Sequence, residues 1–71
     1  MIEFKLKSDY IALCDLLKTA GIANSGGQGK AMVADGLVTV DGKIELRKTA
    51  KIRAEQIVEC LGQQIKVIAA N

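Results

Sequence analysis

Apolar and polar residues alternate from the start of the chain, with Ile2, Phe4 and Leu6 interleaved with Glu3, Lys5 and Lys7. A period of two predicts a half-buried strand, and two lysines on its outer side suit a sheet edge. The period then changes. Leu13, Leu16, Leu17 and Ala20 recur at three and four, which predicts a helix with Ser8 as its cap, Asp9 in its first turn and Gly21 as its stop. Ile22-Ala23-Asn24 reads as a short connection. A second helix starts at Ser25, with Met32 and Val33 inward, Lys30 and Asp35 outward, and Gly36 as the stop. Two short helices joined by four or five residues form a helix-turn-helix-like pair.

The second half returns to strand patterning. LVTVDGKIEL predicts a hairpin with Asp41-Gly42 at its tip. A two-residue loop would set Val40 opposite Lys43. A three-residue loop sets Val40 opposite Ile44 and Val38 opposite Leu46, collecting the apolar residues on one side and sending Thr39, Glu45 and Arg47 to the other. The second register is expected, because a one-residue slip exchanges faces. Ile57 to Leu61 and Ile65 to Ile68, around Gly62-Gln63-Gln64, supply two further strands. The pattern describes an α+β fold, and a chain of 71 residues is expected to make one domain, residues 1–71.

The stretch SGGQGK at residues 25–30 sits awkwardly in a helix, since glycine costs about 1 kcal/mol relative to alanine at an interior position. Ser25 followed by Gln28 matches a capping box, in which each side chain satisfies a free backbone N–H of the other residue. The helix start is thereby specified despite Gly26 and Gly27. Those two glycines leave the helix N-terminus bare, so that an anion can approach unpaired N–H groups at the positive end of the dipole; simple tolerance of glycine in a first turn is the alternative. Gly29 lies past the first turn, where close contact between the helices accounts for it better than a ligand does.

Composition is that of a folded domain, 49% hydrophobic and 25% charged. The longest apolar runs are about four residues, against the ~20 of a spanning helix, and the N-terminus lacks a signal peptide's apolar core. A cytoplasmic protein is expected. Two cysteines and no histidine cannot assemble the usual zinc sets, and Cys14 and Cys60 stand among leucines and valines as small core hydrophobes. With no histidine and no carboxylate pair in an apolar setting, the general acid–base repertoire is nearly empty, so neither an enzyme nor a cofactor is expected.

Charge is unevenly spread. Residues 43–53 hold five basic side chains (Lys43, Arg47, Lys48, Lys51, Arg53) and one acidic (Glu45), net +4, whereas the other sixty residues hold five basic and seven acidic, net −2. Such concentration is the footprint of a polyanion-binding surface, or else of a solvated loop that serves solubility. Gly29-Lys30 resembles the end of a phosphate-binding NTPase loop, but Asn24 stands where its first glycine belongs and Ala31 where its magnesium-holding hydroxyl belongs. Phe4 and Tyr10 are the only aromatics. Both fall in the first ten residues, which excludes an aromatic stacking platform and leaves any nucleic-acid contact to backbone, charge and shape.

The ordered run LLKTAGIANSGGQGKAMVADGLVTVDGKIELRKTAKI resembles the small RNA-binding domain of the ribosomal small-subunit protein four type, which also occurs in pseudouridine synthases and tyrosyl-tRNA synthetases. The resemblance spans Leu13 to Leu61. The SGGQGK helix start and the short length make the chain more similar to the stand-alone bacterial YbcJ-type members than to enzyme-attached copies. The resemblance implies two short helices packed on a small, mainly antiparallel sheet, the αL motif. It also implies a non-catalytic role in binding structured RNA, ribosomal or transfer RNA or the ribosome itself. Carried onto this chain, the contacts fall on Ser25, Gly26, Gly27, Gln28 and Lys30 at the helix start and on Lys43, Arg47, Lys48, Lys51 and Arg53 in the basic stretch. Many members carry arginine where this chain has Gly26, and a Gly-Asp turn where it has Glu55-Gln56. The competing reading is a protein-interaction module that docks its basic face on an acidic partner. The RNA reading requires Lys30 and Arg47 to share one side of the molecule.

Overall fold

A computed structural model describes residues 1–70. The opening alternation forms β1 (Ile2–Lys5), an edge strand whose Ile2 and Phe4 turn toward the core while Glu3 and Lys5 face solvent. Leu6 follows at 4% exposure. β2 (Ile11–Ala12) leads directly into α1 (Leu13–Thr19), and α2 (Gly26–Ala34) follows six residues later. The rest is strand: β3 (Val38–Val40), β4 (Lys43–Ile44), β5 (Lys51–Ile52), β6 (Ile57–Cys60) and β7 (Gln63–Ile68). Five strands form a sheet in the order β1-β7-β6-β3-β4; only the β1–β7 pair is parallel. β2 and β5 make a separate antiparallel ribbon.

The expected α+β architecture is therefore present, two helices packed on a mainly antiparallel sheet. Leu13, Leu16 and Leu17 of α1 and Met32 and Val33 of α2 join Val38, Val58, Cys60, Ile65 and Val67 of the sheet in one apolar cluster, together with Leu6, Ala23, Ala50 and Ile52. Cys14 and Cys60 are both free and buried, in keeping with their reading as core hydrophobes. Each helix ends where a glycine takes positive φ, Gly21 at 82° and Gly36 at 76°. In both cases the following residue donates back five positions, Ile22 to the Leu17 carbonyl and Leu37 to the Met32 carbonyl, the Schellman arrangement that satisfies orphan helix carbonyls.

Three expectations fail, the smallest at the last turn: Leu61 and Gly62 form it, at φ 52° and 80°, and Gln63 and Gln64, expected outside the strands, belong to β7. Ser8 does not cap α1; its hydroxyl donates to the Tyr10 carbonyl at 3.2 Å, and the helix begins five residues later. The first N–H groups of α1 are taken instead by backbone carbonyls from far along the chain, Leu13 by Ala50 at 2.9 Å and Cys14 by Lys48 at 3.1 Å. The hairpin register differs as well. Val40 pairs with Lys43 and Thr39 with Ile44, which is the two-residue loop. Asp41 and Gly42 both take positive φ, 52° and 86°, the geometry that matches the twist of the flanking strands. The Asp41 carboxylate then accepts from the Ile57 N–H at 2.9 Å while the Asp41 N–H donates to the Ile57 carbonyl at 2.8 Å. That tie between the tip and β6 outweighs burial of Ile44 and Leu46, which stay 64% and 59% exposed.

Candidate nucleic-acid interface

The start of α2 follows the capping-box reading with one change of partner. Ser25, in extended conformation, accepts from the Gln28 N–H at 3.1 Å through its hydroxyl. The Gln28 side chain accepts from the N–H of Asn24, one residue upstream of the expected Ser25. The Gly29 N–H closes onto the Ser25 carbonyl. Among the described residues, none accepts from the N–H of Gly26 or Gly27, so two donors remain open at the positive end of the helix. Lys30 is exposed one turn further on.

The three glycines divide as their positions suggested. A Cβ on Gly29 would lie 2.7 Å from the Cys14 carbonyl oxygen, a backbone atom that cannot step aside, so this glycine is where the helices meet. Gly26 and Gly27 have room: the nearest neighbours of an added Cβ are Asp15 Oδ1 at 4.0 Å and Ser25 Oγ at 3.8 Å. Packing demands neither. Asp15, which sequence patterning did not single out, sets a carboxylate near the bare helix start and offsets part of its attraction for anions.

Cys14 links this helix end to the basic stretch. On one side the Cys14 backbone packs against Gly29 of α2, and on the other its N–H is held by the carbonyl of Lys48. The segment after β4 is thus fastened to the first turn of α1, which also carries the start of α2. Arg47, Lys48, Lys51 and Arg53 are all exposed, and Arg47 and Lys51 line an open surface depression together with Thr49 and Ala50. Lys51 and Arg53 converge on Tyr10, with Lys51 Nζ 5.0 Å and Arg53 Cζ 5.7 Å from the ring centroid. Tyr10 is 42% exposed. Tyr10 therefore lies among basic side chains, against expectation: nearness along the chain is not nearness in the fold, and pairing of β2 with β5 closes the gap. Lys43, on edge strand β4, and Lys30, on α2, share none of these contacts.

Arg47 is not a free cation. Its guanidinium donates to both carboxylate oxygens of Glu45, at 3.0 and 3.1 Å, and its backbone N–H donates to the same carboxylate. The Arg47 side chain beside it holds the Glu45 carboxyl below its ordinary pKa, so both charges persist at neutral pH. Gln56 braces the turn locally, its side chain accepting from the Arg53 N–H at 2.7 Å. Glu55 takes positive φ, 74°.

Two helices meeting at a glycine and followed by a basic segment on a small sheet define a class, and the chain belongs to it. The S4 domain family model matches residues 4–68, the family that the sequence resembles. The chain is similar to YbcJ of Escherichia coli (strain K12) and YbcJ of Shigella flexneri, 46% identical over 70 residues to each, with 97% of this chain and 100% of either relative covered. The solution structure of Escherichia coli YbcJ, described as revealing an αL motif involved in RNA-binding, superposes with a TM-score of 0.75 over 97% of this chain and 89% of that one. The 30S ribosomal protein S4e from Thermoplasma acidophilum, 24% identical, shares the fold over 82% of this chain and 31% of its own, with a TM-score of 0.61. Among the described residues no helix is long and apolar enough to cross a membrane.

Proposed function

We propose that this protein is a non-catalytic, cytoplasmic RNA-binding domain that grips structured RNA, ribosomal or transfer RNA, through the α2 start and the basic segment from Arg47 to Arg53. One observation carries the reading: Cys14 joins the bare N-terminus of α2 to the Lys48 segment. In this reading the two open N–H groups and the exposed cations act on one stretch of RNA, a combination suited to phosphate oxygens. The family and the RNA-binding description of the YbcJ structure support the same ligand. In this reading Ser25 and Gln28 fix the helix end, Gly26 and Gly27 admit a phosphate to the backbone, and Lys30, Lys48, Lys51 and Arg53 neutralise phosphates. Arg47 joins them once released from Glu45, and Lys43 extends the surface toward the hairpin tip.

The test is replacement of Arg47, Lys48 and Lys51 together by glutamate. All three side chains are exposed, so thermal unfolding should change little while affinity for a structured RNA falls about tenfold or more, as phosphate contacts turn repulsive. Backbone amide shifts of Gly26 and Gly27 should move on addition of RNA and stay still with an acidic polypeptide. Unchanged RNA affinity in the triple variant rejects the reading; equal shifts with the polypeptide would point to an acidic protein partner.

A further inference from the structure

We propose that Tyr10, together with Lys51 and Arg53, forms a stacking site for an unpaired nucleobase, so that the protein takes its RNA at a loop, bulge or end; the inference rests on the RNA-binding reading above. The register of the β2–β5 ribbon pairs Ile11 with Ile52 and Ala12 with Lys51. Continued by one residue, it sets Tyr10 opposite Arg53. Alternation then sends Ile52, 1% exposed, into the core and leaves Tyr10, Lys51 and Arg53 on the outer side. The ring contributes nothing to the apolar cluster, yet the hydroxyl of Ser8 on the Tyr10 carbonyl and two cations over the ring hold the residue in place.

An exposed, positioned aromatic beside two cations matches the chemistry of an unpaired nucleotide. The base has a π face for the ring, and its phosphate is a charge for Lys51 or for Arg47 across the adjoining depression. The planar guanidinium of Arg53 can sandwich a base from its other side. Inside a duplex no such face is open, because its bases are stacked on one another; only the two terminal pairs expose one.

The chain has one tyrosine and no tryptophan, so protein fluorescence reports Tyr10 alone. The protein is titrated with an RNA hairpin carrying an unpaired loop, with a blunt duplex of equal length, and with inorganic polyphosphate, which has charge and no bases. Stacking predicts strong quenching by the hairpin and little by polyphosphate at the same salt. Tyr10→Phe should hold hairpin affinity within about threefold, whereas Tyr10→Leu and Tyr10→Ala should lose about tenfold, the scale of one lost base stack. Because no charge is removed, the salt dependence of the leucine variant should stay parallel to that of the parent. Equal quenching by polyphosphate, or full affinity in a folded Tyr10→Leu variant, overturns the stacking site and leaves RNA binding standing. Failure of the parent to bind any of the RNAs overturns both.

Discussion

Gly26, Gly27 and Gly29 are alike in sequence and unlike in their surroundings. Gly29 is fixed by the Cys14 backbone, so Gly29→Ala should destabilise the fold by about 2 kcal/mol as the helices are forced apart, despite alanine's better helix propensity. Gly27 meets nothing closer than Ser25 Oγ at 3.8 Å, and Gly27→Ala should stabilise the fold by up to about 1 kcal/mol. If its bare backbone serves a phosphate, the same change lowers RNA affinity while raising the unfolding midpoint. Denaturant unfolding and RNA titration of the two variants check this, and a Gly27→Ala protein that gains stability with affinity intact would reduce this glycine to tolerance. The distinct role of Gly29 was legible from its place past the first turn. Asp15 was not, because patterning that finds the apolar face of α1 leaves the direction of its polar residues open.

At the scale of elements, legibility followed length. β1, the α2 cap, the two glycine stops and the β6–β7 pair span enough residues for a period or a cap to show. β2 and β5 are two residues each and exist only through pairing with one another, so no local period announces them; with them went the true start of α1. The hairpin takes the two-residue loop because turn chemistry outweighs apolar matching. Asp41-Gly42 is a strong two-residue loop signal, and an edge strand as short as β4 has little apolar surface to bury in return. Turn chemistry also yields a prediction at Glu55, a non-glycine residue at φ 74°. Its carboxylate stands 3.8 Å from Lys66 in an exposed pair, which contributes little. Glu55→Gly should therefore stabilise the protein by about 1 kcal/mol through relief of left-handed strain, read as a raised thermal midpoint.

For the molecule as a whole, a net charge of +2 conceals what the fold does with it. The concentration of cations between Lys43 and Arg53 could be counted in the sequence, but not that Glu45 clamps Arg47, nor that Tyr10 joins Lys51 and Arg53 through the β2–β5 ribbon. The clamp sets how many cations are free for phosphates. With Lys30, Lys48, Lys51 and Arg53 each neutralising one phosphate, log affinity should fall with log salt at a slope of about −3.6 for duplex-like RNA. Releasing Arg47 adds a fifth contact. Glu45→Gln keeps the side chain's size and removes its charge, so it should steepen the slope by about 0.9 and tighten binding at low salt. Protonation should act in the same direction. Because its pKa is lowered from 4.5 in the folded state, Glu45 contributes stability that is present above the ordinary carboxylate range and is lost as pH falls through the lower folded value. At neutral pH Glu45 therefore stays charged, and the pair, with the Arg47 side chain 80% exposed, holds against a phosphate only as an exposed, salt-screened contact does. Salt titrations of parent and Glu45→Gln protein against the same RNA decide the point: identical slopes would mean that Arg47 faces no phosphate, leaving the contact surface to the residues around Cys14 and Tyr10.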